Sequence, residues 1–259
     1  MNVMVMAGTK DAANIIKKLS EVKEVNILAT TTTDYGGNIV KSAGADEIIS
    51  KGLNNDELVE IIKEKNINVL VDSTHPFASQ ATLNAIDASK SVGIKYIRFE
   101  RPSIDIVEDP LIHKVFSFHE ASAKALELTN GRVLHLAGVS TLKPVIGKID
   151  PSLVFARVLP SVDSIQQCLD LGLKPENIIA MQGTFSKKFN KALMKEYDIS
   201  LIITKESGEI GGTLSKISGA LELGIHIVLV TRPKISELSN KNVFTDLDEI
   251  ISFILKSDD

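Results

Sequence analysis

The chain has 259 residues, of which 44% are hydrophobic and 24% are charged. This composition excludes a mainly disordered chain and fits either one large α/β unit or two domains of about 100 to 150 residues each. The net charge of -4 gives no electrostatic reason to expect a nucleic-acid partner. A small-molecule ligand is therefore the favoured class of partner.

The single cysteine, Cys168, excludes an internal disulfide framework and a thiolate metal cluster, and it favours a cytoplasmic protein. No apolar run approaches the about 20 residues of a membrane span. The first residues form a strand-like segment without the basic start of a signal peptide. We therefore predict no membrane partner, while the oligomeric state is left open.

Short runs rich in valine and isoleucine alternate with amphipathic helical segments along the whole chain. This alternation is typical of βαβ units built around parallel sheets. The predicted strands are residues 2–6, 25–29, 68–72, 95–99, 132–136, 153–157, 177–180, 199–203 and 225–230. Nine strands are many for one sheet, so the pattern predicts two doubly wound α/β domains of the Rossmann-like type.

Helix boundaries carry their own signals. Apolar residues within Leu247–Leu255 recur at i, i+3, i+4, i+7 and i+8, and Thr245 is the expected N-cap of this helix. Gly93, Gly172 and Gly224 each follow a helical segment and precede an apolar run. These positions predict left-handed C-terminal caps.

The clearest interruption of the pattern lies at residues 101–110, which contain two prolines and several acids. We predict a domain boundary there, with an N-terminal domain at 1–102 and a C-terminal domain at 103–259. Ligands of doubly wound sheets bind beyond the carboxyl ends of the strands. Two such edges facing each other would form an interdomain cleft.

The first strand ends in a turn that could receive a phosphate. Gly8 permits close approach of a ligand to the backbone, Thr9 offers a hydroxyl, and the following helix has unpaired N–H groups at its start. The three-glycine fingerprint of dinucleotide-binding folds is absent, so a plain tight turn is an equal interpretation. At the second strand's end, Thr30, Thr31 and Thr32 favour a 2′-phosphate slightly, although the β-propensity of threonine explains them as well.

The third predicted strand runs into Asp72-Ser73-Thr74-His75-Pro76-Phe77-Ala78, the most informative segment of the chain. His75 is titratable near neutral pH and lies at a strand-to-helix turn where a ligand would bind. It has either a functional role or a structural role in the turn. Ser73 or Thr74 either contacts the ligand or caps the next helix. Downstream, Arg98 and Arg101 would place two guanidinium groups beside the predicted cleft.

Three turns in the second half of the chain also follow predicted strands and contain residues that could bind a ligand. They contain Arg157 in the first, Gly183 and Ser186 in the second, and Lys205, Ser207 and Gly208 in the third. Arginine at a strand end can bind a carboxylate through two hydrogen bonds. The glycine-rich third turn is alternatively a mobile surface loop. No metal-ligand spacing and no nucleophile elbow is present in the sequence, so we predict neither a metal site nor covalent catalysis.

Five motifs together resemble the precorrin-6A reductases of cobalamin biosynthesis, a family that includes the cobalt-precorrin-6A enzymes. The motifs are residues 72–78, 98–102, 182–186, 205–208 and 231–233, in the family's order. The resemblance covers essentially the whole chain. It departs from the family at Ala7, where glycine is usual, at Thr184, where proline is commoner, and at Glu209 and Ile210 before the glycine pair.

The resemblance implies that a reduced nicotinamide dinucleotide, NADPH or NADH, reduces one double bond of a tetrapyrrole bound in the cleft. The implied cofactor-binding residues are Gly8, Thr9, Thr30, Thr31, Thr32, Ser73 and Thr74. The implied substrate-binding residues are Arg157, Gly183, Ser186, Lys205, Ser207, Gly208, Lys216 and Arg232. His75 is the candidate proton donor, with solvent or substrate carboxylates as alternatives.

Two other functions fit the fold, because one fold hosts many functions. A sugar-nucleotide-dependent transferase with two Rossmann-like domains would bind a diphosphate donor and would not respond to NADPH. A non-catalytic polycarboxylate-binding protein would bind the macrocycle without turnover. The sequence leaves open whether the substrate contains cobalt and whether NADH or NADPH is used.

Overall fold

The computed structural model describes residues 1–102, 105–208, 211–238 and 242–256. The chain divides into two compact units, Met1–Pro102 with Pro233–Asp259, and Ser103–Arg232. Each unit contains a six-stranded sheet in which every described pairing is parallel, flanked by helices. The prediction of an α/β protein with two doubly wound sheets is confirmed.

The first unit has the strand order β12-β5-β4-β1-β2-β3. Its elements are β1 (Asn2–Ala7), α1 (Lys10–Ser20), β2 (Asn26–Thr31), α2 (Asp34–Ser42), β3 (Glu47–Ser50), α3 (Asn55–Glu64), β4 (Val69–Ser73), α4 (Ser79–Val92), β5 (Lys95–Phe99), β12 (Val243–Phe244) and α10 (Leu247–Leu255).

The second unit has the strand order β6-β11-β10-β7-β8-β9. Its elements are β6 (Ile112–Val115), α5 (Phe118–Leu128), β7 (Arg132–His135), α6 (Lys143–Ile146), β8 (Val154–Val158), α7 (Val162–Asp170), β9 (Ile178–Ala180), α8 (Lys187–Glu196), β10 (Ile199–Lys205), α9 (Thr213–Leu221) and β11 (His226–Val230). Short 3-10 turns at Val139–Thr141, Pro151–Leu153 and Pro175–Asn177 complete it.

The two sheets have the same strand order once β12 and β6 are set aside. In the first sheet β1, β2 and β3 are added in turn toward one edge, and β4 and β5 toward the other. In the second sheet β7, β8 and β9 are added toward one edge, and β10 and β11 toward the other. The order therefore reverses between β1 and β4 in the first unit and between β7 and β10 in the second. Such reversal points are where doubly wound sheets bind ligands, beyond the carboxyl ends of the strands.

One edge strand of each sheet, β6 or β12, is exchanged: it pairs with a strand of the unit that does not directly precede it in the chain. β6 follows β5 in the chain but pairs with β11 of the second sheet, and β12 follows β11 but pairs with β5 of the first. The assignment of residues 103–259 to one domain is therefore wrong for the segment from Pro233 onward. The predicted boundary region includes residues 103–104, which lie outside the described residues.

The C-terminal segment joins the first unit because its apolar helix face has a partner there. Ile250 and Ile254 of α10 are fully buried in one cluster with Val3 and Val5 of β1. This helix begins after Asp246, whose side chain accepts the N–H groups of residues 248 and 249. The predicted N-cap, Thr245, is one residue too early.

The remaining local predictions hold well. All nine predicted strands are present, and β3, β6 and β12 are additional strands. Gly93, Gly172 and Gly224 have φ values of 81°, 90° and 66°, so these glycines are left-handed, as their positions predict.

A buried histidine lies at the end of β7. His135 is fully buried, and its Nε2 lies 3.1 Å from the carbonyl oxygen of Gly138 and 3.0 Å from the hydroxyl of Thr141. Burial is the main cause that lowers its pKa to about 4, and the charge of Lys205 adds to this effect. The imidazole is therefore neutral in the folded protein near neutral pH.

We predict that His135 makes the protein sensitive to acid. Because its folded pKa is depressed, its contribution to stability is complete above the unfolded pKa of 6.5 and is lost as the pH falls toward 4. The free energy of unfolding should lose about 3 kcal/mol from this residue over that window. Urea unfolding at several pH values, compared with His135→Gln, measures the effect. Equal pH dependence in both proteins would contradict the prediction.

Candidate active site

The turns after β1 and β4 meet at the reversal point of the first sheet. A Cβ atom added to Gly8 would lie 3.5 Å from both the backbone nitrogen of His75 and the Cα of Thr74. The Thr9 hydroxyl donates a hydrogen bond to the carbonyl oxygen of Ser73, at 3.2 Å. The structure therefore brings together five of the predicted site residues, which are separated by more than 60 positions in the sequence.

A buried polar network holds the turn after β4. One oxygen of the Asp72 carboxylate accepts hydrogen bonds from the backbone N–H of Thr74 at 3.0 Å, its hydroxyl at 2.7 Å and Nη1 of Arg98 at 2.7 Å. The other oxygen accepts the hydroxyl of Tyr96 at 2.9 Å. Arg98 is 1% exposed, so the expectation that it lies beside a cleft is wrong: its charge is buried against Asp72.

His75 is fixed by the backbone of its own turn. Its Nδ1 accepts the N–H of Phe77 at 3.2 Å, and its carbonyl oxygen accepts the N–H of Ala78 at 2.8 Å. Because Nδ1 is an acceptor, the neutral imidazole carries its proton on Nε2. Ala78 is the N-cap of α4, so neither Ser73 nor Thr74 caps that helix.

The three threonines at the end of β2 differ in exposure. Thr30 and Thr31 are buried, and Thr32 is exposed. The Thr31 hydroxyl donates to the carbonyl oxygen of Thr33 at 3.0 Å, which commits it to the turn itself. Among these three residues, the structure places Thr32 where a ligand can reach it most easily.

The start of α1 is left available for an anion. Its N-cap, Thr9, makes no capping hydrogen bond with its side chain. Asp11 in the first turn would repel an anion, but Arg101 forms an ion pair with it and offsets its charge. Gly8 has no positive φ, and a Cβ there would make only ordinary contacts, so neither backbone strain nor internal packing requires glycine at this position.

A cluster of cations lies at the carboxyl edge of the second sheet. Nη1 of Arg157 donates to Oδ1 of Asn190 at 3.0 Å, and its guanidinium stacks over the ring of Phe185 at 5.0 Å. Lys216 is 7% exposed, and its ammonium donates to the carbonyl oxygen of Gly211 at 3.1 Å. Lys205 ends β10 and is half-buried.

The positive charges of Arg157 and Lys205 destabilise the charged form of Lys216. Burial lowers the pKa of Lys216 to about 7, and the positive charges of Arg157 and Lys205 lower it further in the same direction. Burial also lowers the pKa of Arg157 to about 10 and lowers the pKa of Lys205. Such an arrangement costs free energy in the absence of a ligand and favours the binding of an anion.

The glycine-rich turn after β10 is stabilised by contacts between its own residues and the start of α9. The hydroxyls of Ser207 and Thr213 lie 3.1 Å apart, and a Cβ at Gly211 would lie 2.0 Å from the Ser207 hydroxyl. Gly208 has a φ of 77°, which favours glycine. The described part of this turn is therefore ordered, whereas Glu209 and Ile210 lie outside the described residues.

The other predicted substrate residues have distinct positions. Ser186 is the N-cap of α8 and accepts the N–H of Phe189 at 3.2 Å. Gly183 is exposed, with a φ of 147°. Arg232 is half-buried, and its Nε lies 3.6 Å from Oε1 of Glu206. The structure places Ser186 and Gly183 in the turn that holds Phe185 beneath Arg157.

One residue at this edge of the second sheet, Asn190, was not predicted from the sequence. Asn190 is buried inside α8 and anchors both Arg157 and the carbonyl oxygens of Phe185 and Ser186. A signal existed, because a polar residue at a buried helical position usually has a specific partner.

The described residues contain no group of three or more His, Cys, Asp or Glu side chains placed to hold a metal ion. Within the same part of the chain, every helix is too short or too polar to cross a membrane.

Comparison with known proteins identifies the family. The family model described as precorrin-6x reductase CbiJ/CobK matches residues 2–255. A cobalt-precorrin-6A reductase from Methanothermobacter thermautotrophicus is 45% identical over 258 residues, which cover 99% of this chain and 84% of the relative. One from Methanocaldococcus jannaschii is 44% identical over 254 residues, which cover 98% of each chain.

A solved structure supports the fold. The structure of CobK precorrin-6A reductase aligns with a TM-score of 0.78 and 19% identity, covering 99% of this chain and 97% of that chain. The family model spans nearly the whole chain, and the two relatives share more than 40% of its residues. The chain therefore belongs to the precorrin-6x reductase family and is an oxidoreductase of cobalamin biosynthesis.

Proposed function

We propose that this protein reduces one ring double bond of cobalt-precorrin-6A with a hydride from NADPH or NADH. The relatives that share 45% and 44% of its residues are named cobalt-precorrin-6A reductases, whereas the relatives at 27 to 29% identity include both cobalt-precorrin-6A and precorrin-6A reductases. This difference favours the cobalt-containing substrate. Family membership favours the reductase over a sugar-nucleotide transferase or a non-catalytic binding protein.

The observation that carries the proposal is the cluster of Arg157, Lys205 and Lys216. Arg157 and Lys205 both lie close enough to lower the pKa of Lys216 through their positive charges, although the net charge of the protein is negative. A corrin precursor bears several acetate and propionate groups, which are the anions that such a cluster would bind through charge-assisted hydrogen bonds. Gly183, Ser186, Ser207, Gly208 and Arg232 are the further residues that we assign to the substrate.

We assign the dinucleotide to the reversal point of the first sheet. The residues that would hold it are Gly8, Thr9, Thr30, Thr31, Thr32, Ser73 and Thr74. The Ser73 hydroxyl supports this fit, because it is buried without a hydrogen-bond partner among the described residues. The uncapped first turn of α1 offers N–H groups to a phosphate. When bound, NADPH or NADH supplies the hydride.

Reduction of a double bond also requires a proton on the carbon next to the one that receives the hydride. We assign this proton to His75, which would donate it from the imidazolium form, because the N–H of a neutral imidazole is too weak an acid to protonate carbon. Solvent and the substrate carboxylates are the alternative donors. A His75→Gln variant should lose turnover at saturating substrate while it retains its affinity for NADPH. Full turnover in that variant would assign the proton to one of the alternatives.

The reaction itself can be tested directly. The protein is incubated anaerobically with cobalt-precorrin-6A or metal-free precorrin-6A, and the nicotinamide absorbance is followed with NADPH and with NADH. We expect oxidation of the nicotinamide and one equivalent of reduced macrocycle, faster with the cobalt form. Binding of the macrocycle without oxidation of either cofactor would contradict the proposal, and so would a preference for the metal-free form.

The dinucleotide site predicts the effect of a substitution at Gly8. Because neither strain nor packing requires glycine there, Gly8→Ala and Gly8→Val should both fold. The branched side chain of valine would occupy the space needed by a phosphate, so its dissociation constant for NADPH should rise about tenfold or more. Fluorescence titration measures it, with Gly8→Ala as the smaller matched change. Wild-type affinity in Gly8→Val would place the dinucleotide elsewhere.

The pKa of Lys216 predicts proton uptake on substrate binding. With a pKa of about 7, its amine is mostly neutral at pH 8, and a bound carboxylate would raise this pKa and favour the ammonium form. Affinity should therefore fall as the pH rises above 7, and binding at pH 8 should take up nearly one proton. Isothermal titration in two buffers of different ionisation enthalpy measures this uptake.

Two variants control that measurement. Lys216→Met should bind the substrate without proton uptake, because it has no titrating amine. Lys187→Met should behave as the wild type, because Lys187 is exposed and pairs with Glu222, the C-cap of α9. Equal proton uptake in the wild type and in Lys216→Met would remove Lys216 from the substrate site.

A further inference from the structure

We propose that Arg98 is a positioning residue for the reductase, which acts through Thr74 to hold the turn that carries His75. The inference rests on the proposed function, which places that turn beside the dinucleotide. Arg98 is 1% exposed, so it offers almost no surface to a ligand. Its nitrogen Nη1 donates to both Oδ1 of Asp72, at 2.7 Å, and the hydroxyl of Thr74, at 3.0 Å.

The burial of this ion pair is not explained by stability alone. Arg98 is 1% exposed and Asp72 is fully buried, so both charges have lost their hydration. Apolar residues of similar size in place of a buried ion pair are often neutral or stabilising. In addition, Nε of Arg98 is buried without a hydrogen-bond partner in the described chain, and Oε2 of Glu100 lies 3.9 Å from it. A pair selected for stability would leave no such donor unpaired.

The contacts of this ion pair instead fix the turn that follows β4. Thr74 is bound at two points by Asp72, through its N–H and its hydroxyl, and at a third point by Arg98. These contacts fix the backbone directly before His75. The same backbone lies 3.5 Å from the Cβ position of Gly8. A shift of Thr74 would therefore move His75 and the dinucleotide turn relative to each other.

Tyr96 supplies a matched control for this argument. Its hydroxyl donates to Oδ2 of Asp72, the carboxylate oxygen that does not contact Thr74. A Tyr96→Phe variant removes one buried hydrogen bond from the same network but leaves all three contacts of Thr74. A purely structural role of the network predicts similar effects of both changes, whereas positioning through Thr74 predicts different ones.

The experiment replaces the ion pair without leaving a buried charge. In the double variant Asp72→Asn with Arg98→Met, we expect a melting temperature near that of the wild type and a kcat lower by about tenfold or more, because small misplacements of reacting groups are costly. Tyr96→Phe should keep kcat within about twofold, even where its melting temperature falls. If the double variant does not fold, Arg98→Lys, which retains the charge opposite Asp72, takes its place.

A double-mutant cycle tests the route through Thr74. The Thr74→Val variant lacks the hydroxyl that Arg98 holds. If Arg98 acts through it, adding Thr74→Val to the ion-pair variant should cause no further loss of kcat, so that the effects are not multiplicative. Multiplicative losses would overturn the proposal. A wild-type kcat in the ion-pair variant would also overturn it, as would a loss in Tyr96→Phe as large as that of the ion-pair variant.

A readout that does not depend on turnover separates this inference from the proposed function. The imidazole resonance of His75, identified by its loss in His75→Gln, should shift in the ion-pair variant and stay in place in Tyr96→Phe. A wild-type protein without reductase activity would refute the proposed function, and the His75 resonance would still decide the role of Arg98. An unshifted resonance in the ion-pair variant would refute positioning.

Discussion

Parallel pairing is the constraint on which the rest of the molecule depends. Every described strand pairing in both sheets is parallel, so the carboxyl ends of all strands in a sheet lie at one edge. The turns that follow neighbouring strands must then meet there, however distant they are in sequence. Gly8 reaches the backbone of His75 for this reason. Lys205 and Arg157 likewise end strands of one sheet and influence the same ammonium group, that of Lys216.

The exchanged edge strands have an energetic consequence. β12 has only two residues and contributes little by itself, but it leads into α10, whose Ile250 and Ile254 are fully buried in the first unit. Full burial of an isoleucine is worth about 1.5 to 3 kcal/mol, which is a large part of the stability of a small domain. A fragment that ends at residue 102 lacks this cover. The first unit thus needs residues from both ends of the chain.

Most of the fold could be predicted from the sequence because buried parallel strands are continuous apolar runs. The strands that were missed, β3, β6 and β12, all lie at sheet edges, where they are short and half-exposed. An edge strand needs no apolar face on both sides, so its composition gives a weak signal. Their absence from the prediction also concealed the exchange, because β6 and β12 are the exchanged strands.

Part of the candidate site could be predicted from the sequence, because ligands of parallel sheets bind near the carboxyl ends of the strands. The pattern predicts His75 and Lys205 as site residues because each lies within a few residues of the end of an apolar run. It misjudged Arg98, since the pairing of this residue with Asp72 spans 26 positions and depends on the register between β4 and β5. Register is set by packing of whole strands, which no short motif encodes.

The cation cluster shows where local energetics and function conflict. Arg157, Lys205 and Lys216 lose hydration, and the first two charges repel that of Lys216; each effect opposes folding. A chain selected only for stability would pair Arg157 and Lys216 with acids or expose them to solvent. The protein instead anchors Arg157 on Asn190 and Lys216 on the carbonyl of Gly211, which are neutral groups. These neutral anchors orient Arg157 and Lys216 without forming ion pairs with them, which suits the carboxylates that we assign to this edge of the sheet.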